Sequence, residues 1–199
     1  MPLTTATPPE GGIRAVRNAI RHVLRHPGSA LKTLAAAAGE GADVCISVPH
    51  PVYTLGLPDV AGGNLADSAL LQGWRYLLTA GDTLVAAAEV IVSGTRAVRF
   101  SHFNDSPFVR STVDALAAAE ALNQVAPHDY EVRLLKVPAL YLFALWLHGP
   151  DELYLPLAPA PPEVTALCPY SQAELAAALR AKADERLAFD ARPEPAPPR

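Results

Sequence analysis

The sequence predicts an α+β fold with a mostly antiparallel sheet of five to six strands. Apolar residues alternate at period two in 83–92, which is typical of a strand. Short turn sequences, such as Gly81-Asp82, separate this run from its neighbours and predict hairpins, which join antiparallel strands. Helical runs with apolar residues every three to four positions lie outside the strand runs. The predicted order is a helical pair followed by β-β-β-α-β-β-β-α, and segregated strands and helices of this kind define the α+β class.

The N-terminal part is predicted as a flexible lead over residues 1–11 and a helical pair over 12–40. The first helix has one apolar face, formed by Ile13, Val16, Ile20 and Val23. The His-Pro-Gly sequence at 26–28 should end it. Ser29 is a suitable N-cap and Gly39 a suitable C-terminal residue for a second, short helix.

A single α+β domain is predicted over 41–189. Residues 43–48 form a candidate short strand, and the prolines that follow predict a loop or an extended segment over 49–58. The six strands of the sheet are predicted at 75–80, 83–92, 96–104, 130–137, 139–148 and 152–157. The segment 139–148 is apolar on both faces, which predicts that helices or a second subunit cover it on both sides.

Capping signals place the two helices of this domain. Ser106 is a natural N-cap, and Pro107 occupies the first helical position, where a missing N–H costs nothing. This helix is expected to end near Asn123. Ser171 and Glu174 form the S-x-x-E capping box of the last helix. The prolines beyond it predict a disordered tail over 190–199.

Composition excludes several classes of protein. The formal net charge of −4 argues against a polycation that holds nucleic acid by its overall charge. Cys45 and Cys168 are the two cysteines, too few for a disulfide framework, and a reduced pair is expected. The longest apolar run, 137–147, is shorter than the roughly 20 residues of a membrane-spanning helix. With no signal peptide visible, the sequence predicts a soluble, cytoplasmic protein without a transmembrane segment. No glycine-rich phosphate loop or H-E-x-x-H motif is present, and neither a cofactor nor a metal is predicted.

The first predicted helix carries a cationic stripe. Its members, at spacing i, i+3, i+7 and i+11, are Arg14, Arg17, Arg21 and Arg25. This spacing places four guanidinium groups on one helix face, where they can bind phosphates, an anionic membrane surface or an acidic partner. The alternative is a solvated helix face without a ligand. The second predicted helix offers alanines where base-reading side chains belong, so sequence-specific DNA recognition is not favoured.

The densest polar segment is 101–106, where a strand enters a helix and free N–H groups favour anions. His102 and Asp105 are candidate catalytic residues here, and Cys45 is a candidate nucleophile if a histidine approaches it. The alternative makes Asp105 a turn residue and Cys45 a small core residue. Glu89 lies in an apolar strand and is expected to face solvent or to pair with an arginine such as Arg99 on the next strand.

The sequence therefore favours a non-enzymatic interaction or assembly module that binds a protein partner or forms a homo-oligomer. This hypothesis depends on the strand that is apolar on both faces and on the lack of a visible catalytic motif. Two alternatives stay open. One is a hydrolase-like enzyme with a site around His102, Asp105 and Cys45. The other is a binder of an anionic ligand or acidic partner through the Arg14, Arg17, Arg21 and Arg25 face.

Overall fold

The computed structural model describes residues 3–25, 34, 36, 43–47, 49–93, 97–122 and 128–191, which form an α+β fold. Its helices are α1 (Gly12–Arg25), α2 (Leu57–Gly62), α3 (Leu65–Ser68), α4 (Pro107–Glu120) and α5 (Gln172–Asp190). Its strands are β1 (Leu3–Thr4), β2 (Val44–Ile46), β3 (His50–Thr54), β4 (Leu70–Ala80), β5 (Thr83–Ser93), β6 (Ala97–Asn104), β7 (Tyr130–Val137), β8 (Leu142–His148), β9 (Leu153–Pro156) and β10 (Tyr170–Ser171). A 3-10 turn, Pro138–Leu140, separates β7 from β8.

All ten strands belong to one mixed sheet in the order β10-β9-β8-β7-β3-β4-β5-β6, with β1 beside β7 and β2 beside β4. The pairs β3–β7 and β1–β7 are parallel, and the other pairs are antiparallel. The predicted α+β class and mostly antiparallel pairing are therefore confirmed. The predicted size of five to six strands is wrong, because the described residues contribute ten strands to this sheet.

Strand β3 lies within the segment 49–58, for which the sequence predicted only a loop or an extended conformation. Pro51 lies inside it and has no N–H to donate, which disfavours proline in a central strand that is paired on both sides. The structure accommodates the proline because pairing with β7 begins only at Val52, opposite Leu134. At Pro51 the strand is therefore paired to β4 alone, opposite Trp74. This arrangement makes β3 the parallel link between the two halves of the sheet.

The described residues include only part of the predicted N- and C-terminal segments. Within the predicted lead 1–11, Leu3 and Thr4 pair with β7. The second helix predicted at 29–39 lies almost wholly outside the described residues, although Leu34 is buried in the same core as α1. Of the tail predicted at 190–199, residues 192–199 also lie outside them.

Helices cover the two faces of the sheet differently. On one face, α1 lies over β5 and β6, and its Val16, Ile20 and Val23 share a core cluster with residues of β4 and β5. On the same face, α2 and α5 cover β7 and β8. On the other face, α4 is the one helix among the described residues, with Val109 over Leu77 at one end and small alanines over β7 to β9 at the other. The alanines allow α4 to lie close to the strands.

Strand β8 is buried on both sides by helices of the same chain. Leu145 and Leu147 pack in the cluster that contains Ala115 and Ala119 of α4. Trp146 packs on the opposite face, in the cluster that contains Leu175 and Leu179 of α5. These helices account for the apolar residues on both faces of the strand, which was the observation behind the predicted self-association.

Candidate functional site

A buried charge cluster lies on the face of the sheet that α4 crosses. It consists of Arg75 on β4, Glu89 on β5 and Lys136 on β7. The Nε and Nη2 atoms of Arg75 donate to Oε1 of Glu89 at 3.0 and 2.6 Å. The Nζ atom of Lys136 donates to both carboxylate oxygens at 2.9 and 2.8 Å. Arg75 is fully buried, and only 10% of the Glu89 side chain is exposed.

This cluster corrects the expectation for Glu89. The carboxylate does not face solvent, and its arginine partner is Arg75, which lies directly opposite on β4. Arg99, the predicted partner, lies opposite Ile91 instead. The sequence pattern could not make this choice, because β5 has a neighbouring strand with an arginine on each side.

The charges of this cluster determine its protonation. Burial alone raises the pKa of Glu89, but the charges and hydrogen bonds of Arg75 and Lys136 outweigh burial and bring the pKa below its ordinary value. Burial, and secondarily the charge of Arg75, lowers the pKa of the adjacent His50 from 6.5 to about 4. His50 is therefore neutral at pH 7. The two cations and one carboxylate leave a net charge of +1, so Glu89 has no proton to give as a general acid at this pH.

His102 approaches the cluster from the exposed edge strand β6. A β-bulge makes this possible: His102 lies opposite Glu89 and Phe100 opposite Val90, so Ser101 is the extra residue. The Ser101 hydroxyl lies 3.0 Å from Nδ1 of His102, whereas Nε2 lies 3.9 Å from Glu89. The latter is an ion-pair distance, longer than the hydrogen bond by which an acid orients a catalytic histidine. Ser101, His102 and Glu89 are the residue types of a catalytic triad, but the distance between His102 and Glu89 is too long for one.

The other catalytic candidates lie apart from this cluster. Asp105 is exposed between β6 and α4. Cys45 lies opposite Thr79 on β4, four residues from Arg75, which corresponds to about 13 Å along the strand. Cys45 and Cys168 are free and exposed, so the alternative that made Cys45 a buried core residue is wrong. The structure thus brings His102 to Glu89 and places Cys45 elsewhere on the sheet.

The cationic stripe forms a second candidate site. Helix α1 buries Val16, Ile20 and Val23 against the sheet, and its four arginines are exposed on the opposite side. Three of them line a groove of about 560 Å³ together with Pro8, Pro9 and Glu10 from the preceding segment. We call this concavity the arginine groove. Its arginines are Arg14, Arg17 and Arg21.

Three arginines and one acidic residue, Glu10, line the arginine groove, so its lining carries a net charge of +2. Among the described residues, no acidic side chain lies within ion-pair distance of the four arginines of α1. Like charges at spacing i, i+3 or i, i+4 cost about 0.2–0.5 kcal/mol per pair, and the stripe contains three such pairs. Because α1 carries four positive charges and the whole chain has a net charge of −4, the rest of the chain carries −8.

Sequence reasoning missed two parts of this groove. Ile13 was expected to face the core, but it is 40% exposed and lines the groove, while Gly12 takes the inward position against Tyr76. The wall formed by Pro8 and Pro9 was also missed. No local signal in the predicted lead could reveal it, because the wall depends on the path of the chain before α1.

Within the part of the chain that the structure describes, no group of three or more His, Cys, Asp or Glu side chains is arranged to hold a metal ion. No helix among those residues is long and apolar enough to cross a membrane. Comparisons with protein-family models, curated proteins and solved structures found no match.

Proposed function

We propose that this chain is a non-enzymatic interaction module that binds an acidic segment of a protein partner through the arginine groove. One observation carries the proposal: three guanidinium groups line a groove of about 560 Å³ and have no acidic partner among the described residues. Guanidinium forks bind carboxylates with two parallel hydrogen bonds, which are stronger than neutral hydrogen bonds.

The charge distribution favours a short acidic segment over a long polyanion. Duplex DNA carries one negative charge per roughly 1.7 Å of its axis, so it would extend beyond the groove and meet the acidic remainder of the chain. An anionic membrane would present the same repulsion over a wide area. A peptide segment can enter the groove while the rest of its protein stays farther away than the Debye length, which is about 8 Å at physiological ionic strength.

A direct binding measurement tests this proposal. A fluorescently labelled peptide of alternating glutamate and glycine is titrated with the chain at low salt, and its anisotropy is recorded. The double substitution Arg17→Glu with Arg21→Glu should weaken binding by at least about tenfold, since each lost charge-assisted hydrogen bond is worth roughly 1.5–3 kcal/mol. The matched control reverses two exposed arginines on other helices, Arg110→Glu with Arg180→Glu, and should bind as the unchanged chain does.

The possible results separate the alternatives. Equal weakening in both double variants would show non-specific attraction and refute the groove as the site. Absence of binding by the unchanged chain would refute it as well. Duplex DNA or phosphatidylserine vesicles are titrated in parallel, and tighter binding of either through the same arginines would show that the partner class is wrong.

Self-association remains a separate prediction with a weaker basis, because α4 and α5 already cover β8. A solution mass of about twice the chain mass of 21.0 kDa would support it. The acidic-segment proposal does not depend on that result.

A further inference from the structure

We propose that the proline-rich segment 192–199 of this chain packs into an apolar groove beside the end of α5. This proposal concerns a second surface and does not depend on the arginine groove. Three observations support it: the chemistry of the groove, an exposed tyrosine with an unusual backbone conformation, and the point at which the segment leaves α5.

The groove consists of two concavities that share residues and follow α5. The larger one, of about 270 Å³, is lined by Lys182 and Arg186, and the smaller one, of about 200 Å³, by Arg186 and Asp190. These three residues are spaced i, i+4 and i+8, so they lie on one face of α5 over about 12 Å. Both concavities also contain Ala139 and Tyr141, from the turn between β7 and β8. We call the two concavities together the tyrosine groove.

Proline rings form part of the lining of the tyrosine groove. Pro161 and Pro162 line the larger concavity, and Pro138 lines the smaller one. Packing further proline rings against them would remove apolar surface from water. Aromatic-lined grooves are a recurring docking site for proline-rich segments, whose restricted backbone loses little conformational entropy on binding. The lining therefore favours a proline-rich occupant.

Tyr141 has a conformation that neither backbone preference nor core packing explains. Its φ of 53° lies in the left-handed region, which favours glycine. The residue is 75% exposed, so burial of its ring does not offset the backbone strain. Residues held in such conformations cluster at sites that clamp a ligand. The exposed ring is therefore the part of the groove that we expect to contact an occupant.

The segment 192–199 has both the composition and the starting point to fill the tyrosine groove. Its sequence, Arg-Pro-Glu-Pro-Ala-Pro-Pro-Arg, contains four prolines in eight residues. It follows Ala191 directly, and the residue before Ala191 is Asp190, which already lines the groove. A segment attached through so short a connection has an effective concentration of millimolar order at the groove. No segment of a separate protein has this advantage.

The charges of the segment and the groove can be matched. The lining has two cations and two acids, which are Lys182, Arg186, Glu163 and Asp190. Within the described part of the chain, Arg186 forms no ion pair. Ala191 is five residues beyond Arg186, or about 7.5 Å along the helix axis. Three residues with the extended backbone of proline-rich chains span about 9 Å, so Glu194 can reach back to Arg186.

A fluorescently labelled peptide with the sequence of 192–199 tests this proposal. Its anisotropy is recorded during titration with the unchanged chain and with a full-length variant that carries Pro193→Gly, Pro195→Gly, Pro197→Gly and Pro198→Gly. The glycine variant should bind the peptide. The unchanged chain should bind it about tenfold more weakly, because its own segment competes for the groove at millimolar effective concentration. Circular dichroism spectra of the two chains should coincide, since the substitutions lie outside the described residues.

Substitutions in the groove locate the bound peptide. In the glycine variant, Tyr141→Ala should weaken binding at least about tenfold, because it removes the ring that the prolines contact. Arg186→Gln should weaken binding up to about fivefold, and replacing the peptide glutamate with glutamine should then have no further effect. The matched control is Val113→Ala, which shortens an exposed apolar side chain on α4, at the other face of the sheet, and should leave binding unchanged.

The remaining outcomes would overturn the proposal. Equal binding by the unchanged chain and the glycine variant would show that the chain's own segment does not occupy the groove. Absence of binding by the glycine variant, or undiminished binding after both Tyr141→Ala and Arg186→Gln, would show that the groove is not the site. A solution mass of about twice 21.0 kDa for the unchanged chain alone, and not for the glycine variant, would place the segment on a second copy and refute the contact within one chain.

Discussion

Replacing Glu89 with glutamine tests whether the buried charge cluster needs its carboxylate to fold. That carboxylate receives four hydrogen bonds of 2.6–3.0 Å from Arg75 and Lys136. Glutamine has nearly the same volume but no charge, so the fully buried Arg75 and the largely buried Lys136 would remain without a counter-charge. Removing one partner of a buried ion pair costs roughly 3–5 kcal/mol. The free energy of unfolding should fall by about this amount, a large part of the 5–15 kcal/mol typical of a folded protein.

Urea denaturation at pH 7, followed by circular dichroism, measures this loss. The matched control is Glu185→Gln, which removes the carboxylate of an exposed ion pair with Lys182. The control should leave the midpoint nearly unchanged, because exposed ion pairs contribute little. A variant with Glu89→Leu, Arg75→Met and Lys136→Met removes all three charges together and should recover most of the stability that Glu89→Gln loses.

The pH dependence gives a second, independent readout. Because the folded state lowers the pKa of Glu89, the stabilisation by its charge is present above the ordinary value of 4.5 and is lost as the pH falls through the lower folded pKa. The difference between the unchanged chain and Glu89→Gln should therefore narrow below pH 4.5. A loss under about 1 kcal/mol at pH 7 would refute the reasoning, since desolvated cations without a counter-charge cannot be that inexpensive.

Three further predictions concern local features. Burial and the charge of Arg75 lower the pKa of His50 from 6.5 to about 4, so between these pH values the unfolded chain binds a proton at His50 that the folded chain does not. The free energy of unfolding should therefore fall by up to roughly 3 kcal/mol between pH 6.5 and 4. In urea denaturation, His50→Leu should flatten this part of the dependence of stability on pH. Gly73→Ala should cost about 1–3 kcal/mol in urea denaturation, because the added Cβ would clash with the Val90 carbonyl oxygen and force β4 and β5 apart; an unchanged midpoint would contradict this. Ser171→Ala should cost about 1 kcal/mol in a thermal melt, because the Ser171 side chain accepts a hydrogen bond from the third backbone N–H of α5; a melt identical to that of the unchanged chain would show that the cap does not contribute.

Local signals in the sequence were sufficient for the elements that depend on adjacent residues. The turn at Gly81-Asp82 was predicted, and Gly81 adopts a positive φ of 56° between β4 and β5. The capping box of Ser171 and Glu174 is present at the start of α5. Helix α4 begins at Pro107 as predicted, and within the described residues it ends at Glu120 instead of near Asn123. Such features are encoded by backbone preferences over a few residues.

Features that depend on strand pairing required the tertiary structure. Glu89 has arginines on both neighbouring strands, and the register places Arg75, not Arg99, opposite it. The bulge at Ser101 brings His102 to the same carboxylate. A shift of one residue in strand pairing exchanges the faces of the sheet, and no local pattern determines that register here. The charge cluster could therefore not be predicted from the sequence.

The arginine groove likewise has one feature that the sequence encodes locally and others that depend on the tertiary structure. The sequence by itself determined that Arg14, Arg17, Arg21 and Arg25 share one helix face, because the helical period of 3.6 residues is a local property. Only the tertiary structure decided that Pro8 and Pro9 line a groove beside that face and that no described acidic residue forms an ion pair with its arginines. The path of this lead is set by the pairing of β1 with β7, more than 120 residues away in the chain. A contact of that range leaves no signature in a local sequence pattern.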